Sequence, residues 1–185
     1  MEAWLEAVKV CTGWNEDDQE RIQQLHLWLD THLSDVVTVL AAELAECNGV
    51  KPLMSNKRFV EGLHNLLRDW LKGFLDGGFD GLYAERRKAF GRKLLNSDLA
   101  FEDVILLQGL ARQEMLKLIQ EKLQGRPEEL LSMMSAVDKA MNVDSALVYR
   151  GYLQVRDDQL EQELLDQFID VTGFSRTLYE NLTEG

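Results

Sequence analysis

Proline and cysteine are scarce in this chain, with two of each among 185 residues. Pro52 and Pro127 interrupt no apolar pattern, so long helices meet no internal breaker. Cys11 and Cys47 make no metal spacing with the nearby histidines, and they read as half-buried thiols in a reducing cytoplasm. Basic charge is also in short supply. Twenty Lys and Arg face 32 Asp and Glu, a formal charge of -12. A surface that acidic repels phosphate backbones, which argues against a nucleic-acid partner. No apolar run approaches the ~20 residues of a membrane helix. The longest lies around Val36 to Ala42, with Thr38 inside it. The start, Met1-Glu2-Ala3-Trp4-Leu5-Glu6, is acidic where a signal peptide is basic. These features together predict a soluble cytoplasmic protein with no membrane contact. With 45% hydrophobic and 28% charged residues, the chain can bury an ordinary core.

Strand-like alternation is absent, and helical periodicity replaces it. A short amphipathic piece covers Ala3 to Val10. Asn15 reads as an N-cap, with Asp18 in the capping-box position. Apolar residues then recur at Ile22, Leu25, Leu29, Leu33, Val36, Val37, Leu40 and Leu44, with a break expected near Asp30–His32. Asn48-Gly49 closes that segment, and a loop is expected through Pro52 and Ser55. The next stripe runs from Phe59 to Leu75 and stops at Gly77-Gly78. Asp80 can cap a helix carrying Tyr83, Phe90 and Leu94, which Asn96-Ser97-Asp98 ends. A long helix covers Phe101 to Leu123. Gly125-Arg126-Pro127 is a helix stop followed by proline at a helix start. The last pattern continues through Leu153, and the tail from Asp157 to Leu182 is helical again, with an interruption expected at Thr172-Gly173. Seven or eight helices and no strand make an all-α fold.

Chemistry is hard to place on this pattern. His26, His32 and His64 have no partners at metal spacing, and no nucleophile elbow or phosphate loop occurs. The carboxylates spread over helix surfaces, Arg86-Arg87 could bind an anion but reads first as a pair for surface carboxylates, and Trp14, Trp28 and Trp70 read as core or interface anchors. The expectation is a protein that is not an enzyme.

The segment from Trp70 to Arg92 resembles the globin domains of globin-coupled sensors and protoglobins. The shared features are Trp70-Leu71, Gly77, Phe79-Asp80, Tyr83, Arg87 and Phe90-Gly91. Glu16-Asp17-Asp18, Leu25, Asp35 and Val36-Val37 are similar to that family's opening helices, and Val143-Asp144 with Leu147 to Tyr152 to its last globin helix. The resemblance implies a globin-like helical fold with an extended N-terminal helix and a C-terminal helical extension. It places a sensor domain at residues 1–155, and an extension or linker to an output module at 156–185.

Two departures from the family pattern follow. Its iron-binding histidine comes three residues after the hydrophobic-Gly pair, and that position here is Leu94, which has no lone pair for iron. Its first helices carry a Phe-Tyr pair where this chain has Leu40-Ala41. The resemblance therefore implies a haem-free variant without cofactor or metal, like the sensor domains of stress-signalling regulators. Leu40, Ala41, Trp70 and Phe90 would line the vestigial pocket around Leu94. Left empty, a void on the order of 400 Å³ would cost roughly 10 kcal/mol at ~24 cal/mol per Å³, as much as a typical domain's whole stability. Either side chains collapse into it or an apolar ligand fills it. The alternative is a haem-binding gas sensor with a non-standard axial ligand, for which His64 is the candidate. The family further implies a homodimer through the last two long helices, with Val148, Tyr149, Tyr152 and Val155 at the interface or completing the monomer core. A downstream signalling protein or domain would be the other partner.

Overall fold

The computed structural model describes residues 2–47, 49–76, 78–95 and 99–172, apart from the side chains of 95, 101, 158 and 159. Seven α-helices and two 3₁₀ turns account for most of it, and there is no strand among the described residues. The helices are α1 (Glu2–Thr12), α2 (Glu16–Leu29), α3 (Leu33–Ala45), α4 (Lys57–Leu75), α5 (Gly81–Leu95), α6 (Phe101–Lys122) and α7 (Pro127–Thr172). None is long and apolar enough to cross a membrane among the described residues.

Local chemistry sets most of the boundaries. Asn15 and Asp18 form the expected reciprocal capping box at the start of α2, each side chain accepting from the other's backbone N–H at 3.1 Å. Asp18 is also buried, and Lys139 of α7 donates to its Oδ2 at 2.9 Å. The cap therefore doubles as a tie between the second helix and the last. The expected break falls at Asp30–His32, a 3₁₀ turn that redirects the chain from α2 into α3. Asn56 caps α4 by accepting from Arg58 and Phe59, and Asp80 caps α5 by accepting from the Tyr83 N–H at 2.8 Å. Pro127 opens α7, just after Gly125 at φ +83°.

Two segments differ from the sequence reading. The stretch around Pro52 is a 3₁₀ turn, Lys51–Ser55, rather than open loop. The tail is not a separate helix either. α7 continues unbroken for 46 residues, roughly 70 Å at 1.5 Å per residue. Nothing between Gly151 and Thr172 stops it. The breaks expected at Gly77, at Asn96-Ser97-Asp98 and at Gly173, and the tail's last stretch to Leu182, lie outside the described residues in whole or part.

α7 is the spine of the fold, with α1, α2, α5 and α6 packed along its first half, while α3 packs against α4 and α6. Among the described residues its last buried one is Gly151. Beyond that the helix leaves the globule, carrying exposed Leu160, Leu164, Phe168 and Val171.

The crossing of α5 and α7 is a backbone-to-backbone contact. A Cβ added at Gly91 would stand 2.1 Å from the Val148 carbonyl oxygen, and one at Gly151 would stand 2.2 Å from that of Lys88. Two glycines on facing surfaces let the helices approach more closely than any side chain permits.

Candidate functional site

The five residues expected around a vestigial pocket all enter the hydrophobic core. Leu40 and Ala41 come from α3, Trp70 from α4, and Phe90 and Leu94 from α5. Leu94 is 0% exposed. The rings of Trp70 and Phe90 stack, with centroids 6.5 Å apart and planes 20° from parallel. An axial iron ligand must supply a lone pair from nitrogen, sulfur or oxygen. Leu94, Leu40 and Ala41 offer none, so these side chains do not match a haem-iron site. His64 lies half-buried on α4, and among the described residues no three His, Cys, Asp or Glu side chains gather where a metal ion could be held.

Beside this apolar layer lies a buried polar network centred on Asp144 of α7, which is 0% exposed. Its Oδ2 accepts from the Trp70 indole N–H at 2.9 Å, and its Oδ1 accepts from the Tyr83 hydroxyl at 2.5 Å. Arg87 brings its Nε to 2.8 Å from the same Oδ1, as an ion pair rather than a well-directed hydrogen bond, and donates from Nη2 to the Trp70 carbonyl at 2.8 Å. The guanidinium carbon also sits 4.9 Å from the centre of the Tyr83 ring. One carboxylate thus joins α4, α5 and α7. This corrects the expectation that Arg87 pairs with a surface carboxylate. Arg87 is 4% exposed and its partner is the interior Asp144.

The electrostatics follow from burial. Tyr83 is pushed well above its ordinary value of 10.0, first by burial and then by the neighbouring Asp144 charge. Burial alone would lower Arg87, but Asp144 and Tyr83 outweigh it, so the guanidinium holds its proton more firmly than in water. An aromatic cluster flanks the network. Phe79 is fully buried at φ +38°, in the left-handed region, with its ring 4.4 Å from Trp14 and 4.5 Å from Tyr83. Ring packing on both sides holds a backbone conformation that an isolated phenylalanine avoids.

The four residues named for the interface divide by orientation. Val148 is 1% exposed and belongs to the core, whereas Tyr149 is 44% exposed. Tyr152 and Val155 are half-buried. Tyr149 lines a groove of about 390 Å³ between α6 and α7, next to exposed Ile105.

Sequence reasoning included Trp70, Tyr83, Arg87 and Asp144 among the family-like positions but did not join them. A signal was present. Asp144 is the one charge in the apolar run Met141 to Val148, and Tyr83 and Arg87 are four residues apart on one face of a helix. A lone acid on a core-facing stripe needs a buried partner.

Comparison with known proteins agrees with this architecture. The protoglobin family model matches residues 1–158. The globin domain of a Geobacter sulfurreducens globin-coupled sensor has a similar structure, with a TM-score of 0.72 at 18% identity, covering 80% of this chain and 96% of that one. No curated protein matches. With a family model spanning most of its length and a globin-like arrangement of helices, the chain belongs to the protoglobin family.

Proposed function

We propose that this chain is a haem-free sensor domain of the globin-coupled type, acting in signal transduction through dimerisation and protein–protein contacts, with no catalysis of its own. The observation that carries the reading is Leu94. It occupies the place where the family pattern puts the iron ligand, and it is packed into the core rather than facing an opening. Leu40, Ala41, Trp70 and Phe90 are buried with it, which favours side-chain collapse over a bound apolar molecule. The role resembles that of the sensor domains of cytoplasmic stress-signalling regulators, and α7 is the element through which a signal would leave.

The visible absorption spectrum of the freshly purified protein tests this reading. No Soret band is expected in the purified protein, and added hemin is expected to give only the spectrum of free hemin, without a sharpened or shifted band. A strong band would overturn the haem-free reading in favour of a gas sensor, and loss of that band in a His64→Ala variant would assign the ligand.

The dimer would form on the exposed surface of α6 and the adjoining face of α7, where Ile105, Leu106 and Tyr149 stand out of the core. Sedimentation checks it. Tyr149→Glu is expected to give a folded monomer, whereas Val148→Glu places a charge in the protomer core and unfolds the chain. A Tyr149→Glu protein that stays dimeric would remove Tyr149 from the interface.

A further inference from the structure

A charged cleft opens between the C-terminal half of α4 and α5, with a volume of about 370 Å³, ordinary for a small-molecule site. Arg87 belongs to its lining as well as to the buried network. Its Nε is turned to Asp144 and its Nη2 to the Trp70 carbonyl, and Nη1 is the remaining nitrogen of the fork. Gly73 makes this placement feasible. A Cβ there would stand 2.9 Å from Nη2 and 3.4 Å from Nη1, so any larger residue would press on the guanidinium from the α4 side.

The remaining charges of the cleft are of both signs. Asp69 and Asp76 come from α4 or its C-cap, Asp80 caps α5, and Arg86 and Lys93 come from the body of α5. The charge of Asp76 acts on Arg87, yet the two form no direct ion pair, and the acid's close neighbour is the His26 ring, whose Nδ1 is 3.8 Å away. Opposite charges thus face one cleft without neutralising each other across it, and Leu82 and Phe90 supply apolar lining. A simple anion would be repelled by the three acids, Asp69, Asp76 and Asp80. A metal ion would lack ligands, since no cluster of three suitable side chains exists among the described residues. A molecule carrying both charges satisfies both sets of side chains.

We propose that this cleft binds a small zwitterion, an α-amino acid or a similar amino-carboxylate, with its carboxylate on Arg86 and Arg87 Nη1, its ammonium on Asp76 and Asp69, and its apolar part against Leu82 and Phe90. Arg87 then holds the ligand's carboxylate with one nitrogen while another faces Asp144 of α7. Occupancy changes the field on the carboxylate that anchors the outgoing helix, and a conformational equilibrium of α7 shifts by the ligand's difference in affinity between its two states. As the input to signalling this rests on the sensor reading above, whereas binding itself does not.

The test is a thermal-shift and calorimetric screen of the full chain against the twenty standard L-amino acids, each on the order of 5 mM, well above the affinity needed for a visible shift. At least one is expected to raise Tm and give a binding isotherm. Its amide and N-acetyl derivatives, each lacking one charge, are expected to bind at least about tenfold more weakly, a loss of about 1.4 kcal/mol. Arg86→Gln and Asp76→Asn, both at exposed positions, are expected to do the same, each shift being measured against the variant's own ligand-free melting curve. The proposal is overturned if no amino acid shifts Tm, if the blocked derivatives bind as well as the parent, or if both variants bind like the native chain. The two readings fail separately. A Soret band would overturn the haem-free sensor alone, and a haem-free protein that ignores every amino acid would overturn the cleft alone.

Discussion

Gly91 and Gly151 should respond to alanine in the opposite sense from other helical glycines. In an exposed helix interior, Gly→Ala stabilises by up to about 1 kcal/mol, because alanine loses less backbone entropy. Gly62 on α4 and Gly109 on α6 have nothing within 4 Å of an added Cβ, and both are expected to gain about 0.5–1 kcal/mol. At Gly91 the new carbon would lie 2.1 Å from the Val148 carbonyl oxygen and 2.9 Å from the Tyr152 nitrogen. Both are backbone atoms, so no rotamer change relieves the clash. To reach the 3.4 Å at which ordinary contact begins, α5 and α7 must part by about 1.3 Å at their crossing. Overpacking of this kind costs about 3 kcal/mol or more, leaving a net loss of about 2 kcal/mol after the propensity gain. For a chain of this size that is a fall in Tm of roughly 4–8 °C. Gly151→Ala should lose as much, since its Cβ meets the Lys88 backbone at 2.2–2.8 Å. The double variant should lose less than the sum, because helices parted for one methyl group have room for the second. Urea unfolding followed by far-UV circular dichroism gives all five free energies. A Gly91→Ala protein as stable as the native chain, with an unchanged m-value, would refute the close crossing.

Three other perturbations probe the interior. Asp144→Asn leaves the Arg87 charge buried without its counter-ion and should cost about 3–5 kcal/mol in urea unfolding; a loss within experimental error would show that the pair is not buried as described. Tyr83 keeps its proton in the folded state to a higher pH than in the unfolded chain, so its contribution is intact below pH 10.0 and is lost as pH rises above it. Tyr83→Phe should therefore be less stable near neutrality and should lose less stability on going above pH 10.0, which a pH series of thermal melts checks. Leu94→Ala should cost about 2–5 kcal/mol if the side chain fills the core, whereas a smaller loss would mean that an open pocket adjoins it.

The sequence alone determined what depends on near neighbours. The capping box at Asn15 and Asp18, the turn at Asp30–His32 and the proline start of α7 are local chemistry acting over a few residues, and the core stripe of α4 follows from its 3.6-residue period. The resemblance around Trp70 to Arg92 was enough to identify the fold. Tertiary structure decided which distant groups meet. Trp70 and Tyr83 lie 74 and 61 residues from Asp144, and only the packing of α4 and α5 on α7 makes Asp144 their common partner. The same packing turns Val148 inward and Tyr149 outward, although they are adjacent in the chain. It also brings Gly91 and Gly151 to one crossing, and it gathers cations and acids into one cleft. Helix periodicity says which face of each helix is apolar. The angle and depth at which two helices cross depend on side-chain volumes from both, and no single stretch of sequence contains them.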